Sequence, residues 1–595
     1  MIEVTFSEET DVLIVGGGPV GLTASLLLSR LGVRHALFER HESTSIYPRA
    51  VSLNQRTMEV YRGLGLEDAI AAEAAPLQCH ELTAWYTSFA GPSQLHGRML
   101  ASRNGWGGGE YVAEYAAASP CTYRQLAQIR LEPLLRRHAE GSALADIEFG
   151  AEVLDVRHDA SGVTVTVDSA GVRRDIRATY LIGADGGRTV GKLLGIGDTG
   201  PSNLVDMVSV HFTADLSACH DPRVMISWFV NPDLGGSVGT GLLYPIGPWN
   251  TAGHSTEWVF VFATGAEDPD RFDQAAACER LRTTLGVADL QAEVHSVSHW
   301  YIRSVVADAF RSQRCFLVGD AAHRVPPWGA LGLNTGVQDV RNLCWKLAHA
   351  LQEPGLTGIL DSYEVERRPV AQAVATNSLA SFHSSVGVID SALGLSPDQS
   401  PQEGWRNIEM LWAESPEGDN RRAAMEKAVR SLDIEFHAHG AECGFSYPKG
   451  AVQPQPAAEA NSGETDLLTY RATSSPGHHL PHFWVSEVPG QRVATVDLIR
   501  PGRFLLLVDE CSDAWRAAVE AVAAPLGKRI DVETLPAART SSDHTVIWGE
   551  LREVGATGAI LVRPDGIVAW RWTELPADPH RELQAALAHI ATPEH

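Results

Sequence analysis

The residues with the clearest chemical use stand near the start of the chain. Gly16-x-Gly18-x-x-Gly21 follows a β-branched run, Asp11 to Val15, and opens an apolar-periodic stretch, Leu22 to Leu31, that Gly32 ends. In such a turn the first glycine permits the sharp bend, the second lets backbone approach a pyrophosphate, and the third lets helix and strand pack. Free N–H groups at the helix start face the phosphate charge. Glu39 ends the next strand, Val33 to Phe38, 18 positions past Gly21. An acid there binds a ribose hydroxyl pair, so the set predicts a dinucleotide site.

Two later stretches narrow the choice of dinucleotide. Arg314 to Val318 reads as a buried strand ending in Gly319-Asp320, which puts a carboxylate at the C-terminal edge of an open sheet, where it can hold a ribityl hydroxyl. Pro326-Pro327-Trp328-Gly329 and Gly332-Leu333-Asn334 then lead into a helix expected from about Thr335. A helix N-terminus aimed at the pyrimidine edge of a flavin stabilises the negative charge of the reduced ring.

The elements that must position these groups read as a dinucleotide fold interrupted by a second sheet. Val153 to Val167 and Arg177 to Ile182 alternate like strands. Val205 to Phe212, Val224 to Val230, Gly239 to Pro245 and Trp258 to Phe262 form a mid-chain strand block. Gln453 to Gly463 reads as a linker, and Val493 to Asp497, Phe504 to Val508, Ala514 to Ala524 and Ala559 to Val562 as a compact α/β module. The 595 residues leave room for several cores, and 44% hydrophobic with 20% charged residues is globular. A net charge of −25, from 48 basic and 73 acidic residues, argues against nucleic acid or an anionic membrane as partner. Eight cysteines, no two closer than 29 positions, make no CxxC pair, so reduced thiols and a cytoplasmic location are expected. Glu3, Glu8, Glu9 and Asp11 stand where an export signal needs basic residues, and the run at Leu26 to Leu28 meets Arg30 far short of a membrane span.

The set Gly16-x-Gly18-x-x-Gly21 with Glu39, Gly183-Ala184-Asp185-Gly186 after a strand, and Gly319-Asp320 with Pro326-Pro327 resembles the class A FAD-dependent aromatic hydroxylases, over most of the chain. Within that class, Ser119-Pro120-Cys121, Leu131-Glu132-Pro133, Pro248-Trp249-Asn250, His439-Gly440-Ala441-Glu442, Leu480-Pro481-His482 and Leu561-Val562-Arg563-Pro564-Asp565-Gly566 are similar to the 2,4-dichlorophenol 6-monooxygenase and phenol hydroxylase branch. The resemblance implies an α/β fold: a Rossmann-type, glutathione-reductase-like FAD-binding domain (1–198 and 296–390) interleaved with a substrate-binding β-sheet (199–295). A helical connection (391–463) and a thioredoxin-like C-terminal domain (464–595), redox-inactive without a CxxC, follow.

The resemblance also implies FAD as cofactor, NADPH or NADH as transient co-substrate, O2 and a small aromatic substrate, and a homodimer. It assigns FAD contacts to Arg49, in Pro48-Arg49-Ala50, and to Gln128, and it gives Asp185 to both FAD and the nicotinamide cofactor. Thr189 and Lys192 stand near the places of a family serine and arginine, and Ala330 replaces a glycine common in the flavin loop. Gly332, Leu333 and Asn334 complete the cofactor set.

The expected reaction runs through a flavin hydroperoxide whose distal oxygen is attacked by an electron-rich carbon, ortho to a phenolic hydroxyl. Water must be excluded, a task that suits Pro326, Pro327 and Trp328. Phenol, with a pKa near ~10, reacts better as phenolate, so a base or positive field is expected. Val51 holds the position where some relatives carry an aspartate or histidine. Strand placement offers His211 as the base and Trp228, Tyr244 and Trp258 as pocket walls, with His254 also on that sheet. Hydroxylation of a larger polyketide-type ring, a flavin oxidase or reductase, and a flavin-binding assembly protein are the alternatives. Gly235-Gly236-Ser237-Val238-Gly239 matches a hydrolase pattern, but strand-like Thr240 to Pro245 follows. His478, His479 and His482 lack the acid or cysteine of a metal set, and Trp570-Arg571-Trp572 lacks the isoleucine-proline of a halogenase motif.

Overall fold

The computed structural model describes residues 9–265, 268, 273–454, 466–488, 491–522, 525–540 and 547–593. The expected boundary near Gly463 lies outside them. An eight-stranded sheet forms the first layer. Its parallel centre runs Cys315–Leu317, Val172–Gly183, Glu9–Val15, His35–Glu39 and Ala145–Phe149. Val12, Leu13 and Ile14 are fully buried, as a strand covered on both faces requires. Each such side chain contributes roughly 1.5–3 kcal/mol of transfer free energy. Helix Pro19–Arg30 packs on this sheet, and helix Leu331–Gln352 packs against that helix. The second of them starts at Leu331, four residues before Thr335, because Ala330 takes a left-handed conformation (φ 54°) and breaks the chain there.

The mid-chain strands build a seven-stranded sheet. Its order is Glu293–Tyr301, Asp206–Thr213, Ser255–Thr264, Gly241–Trp249, Val224–Asn231, Leu82–Tyr86 and Met99–Asn104. The strand expected from Gly239 starts at Gly241. Gly236–Thr240 is one turn of helix carrying Ser237, whose N–H donates to Asp390 Oδ1 at 2.8 Å. No histidine hydrogen-bonds Ser237 among the described residues, so the serine has no hydrolase geometry.

A four-stranded mixed sheet, Ile530–Thr534, Phe504–Val508, Ala559–Val562 and Val568–Trp572, with helices Ser512–Ala521 and Pro579–Ala591, forms the thioredoxin-like C-terminal domain. Val493 to Asp497, expected as a strand, divides into Gln491–Ala494 and a 3-10 turn at Thr495–Leu498. One apolar cluster runs from Val12 and Leu37 through Leu343 and Trp345 to Phe504, Trp515 and Leu587, so this domain shares the flavin domain's core.

Candidate active site

The glycine turn has the geometry its spacing predicts. Gly16 sits at φ 111°, and a Cβ there would lie 2.4 Å from Ala184 O; one at Gly21 would lie 2.0 Å from Gly16 O. Gly18 is different. It is extended, precedes helix Pro19–Arg30 without a side-chain cap, and a Cβ there would meet nothing nearer than Glu132 Oε1 at 4.0 Å. The first-turn N–H groups therefore open onto free space, the requirement for an anionic phosphate. Glu39 accepts from Gly17 N at 2.7 Å and His41 N at 3.0 Å, which seats its carboxylate beside the turn.

Around the opening stand charges the fold has brought together. Asp320 follows its strand on a 3-10 turn (Gly319–Ala321) and is exposed within the concavity. Crowding by protein raises its carboxyl, while the charges of His323, Arg49 and Arg324 oppose the shift. Arg49 is exposed. Glu132, quoted above only as part of a motif, is buried and accepts from Ser45 N at 2.6 Å and from Gln128 Nε2 at 2.5 Å. Its signal in the sequence is an acid one helical turn past Gln128. Gln128 N donates to Ala50 O at 2.8 Å and so pins the segment that carries Arg49.

Two of the expected cofactor contacts use their side chains elsewhere. Asn334 Nδ2 donates to Ser52 O (3.0 Å) and Ala330 O (2.7 Å), and its Oδ1 accepts from Asn54 N (3.0 Å). It ties the start of helix Leu331–Gln352 to the chain before helix Gln55–Gly63. Asp185 accepts from the N–H groups of Gly187, Thr189 and Val190 at 3.1, 2.6 and 2.7 Å, shaping its own loop. Pro327 is exposed, Pro326 buried, and Trp328 packs edge-on against Phe382 with ring centroids 4.7 Å apart.

Register decides which side chains share a face of the second sheet. Trp228 pairs with Leu242 and Trp85, Tyr244 with Val259, and Val259 with His211, so Trp228, Tyr244 and His211 share one face. Val51 packs against that face beside both Trp228 and Tyr244, which makes its position apolar. Trp258 pairs with Pro245 and Phe212 and points to the other face. There it is fully buried in a core with Phe260 and Leu281, its Nε1 donating to Ala214 O at 3.0 Å. Trp258 is therefore core, not pocket wall. His211 stands two strands, ~10 Å, from Tyr244. Its Nε2 lies 3.1 Å from Glu257 Oε2, and Arg130 reaches the other oxygen at 3.1 Å.

The segment 432–443 supplies what strand patterns could not show. Phe436 packs edge-on against Trp85, Trp106 and Trp228, while Ile434 O lies by Gly329 of the flavin loop. Between them, half-buried Glu435 has its carboxyl pushed up to about 8 by burial. Glu442 is buried with Oε2 lacking a hydrogen-bond partner, and burial raises it to about 8 as well. Because that value lies above the unfolded range, the native state holds a proton the unfolded chain lacks between about pH 4.5 and 8. Stability falls as pH rises through this window. Glu442→Gln is expected to remove a slope of roughly 1.4 kcal/mol per pH unit, read from thermal melts across that range.

The cradle, the open helix N-terminus and the acids beside it fit a dinucleotide flavin. Residues 9–378 match the family model described as FAD binding domain, and residues 473–593 the aromatic-ring hydroxylase C-terminal model. The chain is 35% identical to the 2,4-dichlorophenol 6-monooxygenase of Delftia acidovorans, over 98% of each. The solved flavin-dependent monooxygenase PieE, in complex with FAD and substrate, superposes with a TM-score of 0.88 at 36% identity, covering 98% of this chain and 99% of that one. Aklavinone-11 hydroxylase, in complex with FAD and aklavinone, superposes with a TM-score of 0.77 at 30% identity, covering 99% and 100%. Sequence, fold and site agree on one family: the chain belongs to the class A FAD-dependent aromatic hydroxylases, flavoprotein monooxygenases with an aromatic-ring hydroxylase C-terminal domain.

Proposed function

We propose that this flavin-dependent monooxygenase hydroxylates a phenolic ring ortho to its hydroxyl, with NADPH or NADH as reductant. The observation that carries the reading is the shared face of Trp228 and Tyr244, closed by Val51 and Phe436 and adjoining the flavin loop. FAD, when bound and reduced, supplies oxygen activation and the transfer of one oxygen atom. The chain supplies the rest. Arg49, Asp320 and the helix N-terminus at Leu331 hold and polarise the cofactor. Pro326, Pro327 and Trp328 keep water from the reacting face. Trp228, held by an Nε1 hydrogen bond to Thr83 at 3.0 Å, gives a flat wall for a ring.

Proton removal from the phenol needs a group matched to neutral pH. Glu435, at about 8, has that property on the segment closing the pocket, and we assign it the role in place of His211, which is engaged by Glu257. Glu435→Gln is expected to lower kcat by roughly 10²-fold or more and to flatten the pH profile near neutrality. His211→Ala should leave both unchanged, and the reverse pattern returns the role to His211. NAD(P)H oxidation in air, with peroxide and hydroxylated product quantified together across substrates, tests the whole reading. A catechol formed at the rate of NAD(P)H consumption supports it; peroxide alone overturns it. The likeness to a hydroxylase solved with aklavinone favours a second reading, a polycyclic phenolic substrate, and the same substrate series separates the two.

A further inference from the structure

Between the C-terminal domain and the flavin domain lies a small cavity of ≈ 10 Å³, bordered by Arg56, Glu59, Arg341, His479, His482 and Gly566. Its donors are unsatisfied. Arg56 Nε, Arg341 Nη1, His479 Nε2 and both ring nitrogens of His482 are buried without hydrogen-bond partners. His479 and His482 are 4% and 9% exposed.

The charges around the cavity do not balance. Glu59 Oε1 is taken by Arg56 Nη1 at 2.7 Å and Ser119 at 2.8 Å, while Arg341 Nη1 stands 3.8 Å from Glu59 Oε2. Two guanidiniums thus share one carboxylate. Asp565, the next acid, is held bidentately by Arg563. Arginine does not shed its proton, so at Glu59 two positive charges meet one negative, and the acids nearest after it, Asp565 and Asp497, are held by Arg563 and Arg62. Burial, reinforced by the fields of Arg56, Arg341 and Arg367, holds His479 well below its usual range, so it is neutral and has one ring N–H to donate.

We propose that this cavity binds one halide-sized anion, chloride in the cell, which completes the seam between the two domains. The volume is at the lower limit for one water-sized particle, so a single-atom anion enters as the walls give by a few tenths of an ångström, and phosphate or a carboxylate ligand does not fit.

The test uses the full-length, FAD-loaded protein in potassium gluconate and potassium chloride at equal ionic strength. At a chloride concentration ten times its Kd, the folded-to-unfolded ratio is expected to rise roughly tenfold, seen as a higher Tm. Arg341→Gln and His482→Phe should each fold in gluconate and lose the chloride-dependent rise, with FAD absorbance unchanged. Crystals of the wild-type protein soaked in bromide should give an anomalous peak within reach of Arg341 and His479. Equal melting in the two salts, a chloride effect that survives in both variants, or a bromide-soaked crystal without density in the cavity would each overturn the proposal.

Discussion

Arg563→Ala is expected to cost about 3–5 kcal/mol, because it strands a buried carboxylate at the seam between the domains. Arg563, fully buried, donates to Glu366 Oε1 at 2.7 Å and Oε2 at 2.9 Å, as well as to Asp565. Glu366 also accepts from Lys346 Nζ (2.7 Å), Asn342 Nδ2 (2.6 Å) and Ala451 N (2.8 Å). Removing the guanidinium leaves two carboxylates facing one ammonium away from water. Arg563→Lys should recover only part of the loss, since an ammonium cannot form the bidentate pair. Thermal unfolding followed by tryptophan fluorescence checks both, because Trp345 packs on Phe504 across this seam at 5.7 Å between ring centroids. The pH dependence has a definite sign. Arg563 and Lys346 hold Glu366 down at about 2 against the penalty of burial, so its stabilisation is present above the unfolded value of about 4.5. It is lost as pH falls from there toward about 2. The variant should show less of this acid loss than the wild type.

Gly16→Ala is expected to yield a protein that binds FAD at least about 100-fold more weakly, a loss of roughly 2.7 kcal/mol or more. Two penalties combine at this position. The left-handed backbone costs a side chain roughly 1–2 kcal/mol, and the new methyl would stand 2.4 Å from Ala184 O. Ala184 cannot retreat freely, since its N–H is bonded to Val15 O at 2.8 Å in the central strand crossing. The turn must shift, and the amides aimed at the pyrophosphate shift with it. Gly32→Ala is the control: φ is 76°, yet nothing lies within 4 Å of its Cβ, so it carries strain alone and should keep its flavin. Flavin absorbance of the purified proteins and titration of the apoprotein with FAD measure the difference.

Local order made the cofactor side of the site readable. Glu39 and Asp320 each end a strand of the parallel sheet, and strand, glycine turn and helix follow one another within a few residues, so spacing alone carries their geometry. The roof was harder to read. Tyr244 and Trp258 are both aromatic residues on neighbouring strands, but they face opposite sides of the sheet because Tyr244 pairs with Val259 and Trp258 with the next residue, Pro245. That register has no signature in composition. Asn334, expected in the loop before the helix, stands inside helix Leu331–Gln352, and its amide reaches Ser52 and Asn54, 280 positions and more away in sequence.

By itself, the sequence determined the dinucleotide fold, its interruption by a second sheet, the appended α/β module and the acids at the strand ends. These follow from periodicity and from backbone conformations that only certain residues adopt. Tertiary structure alone decided which aromatics share a face of the second sheet, that Phe436 packs on the tryptophans of that sheet, and that Arg563 and Arg341 meet acids of the flavin domain. Such pairings join residues far apart in the chain, and the burial that shifts a carboxyl or strands a guanidinium exists only once both partners have been brought together.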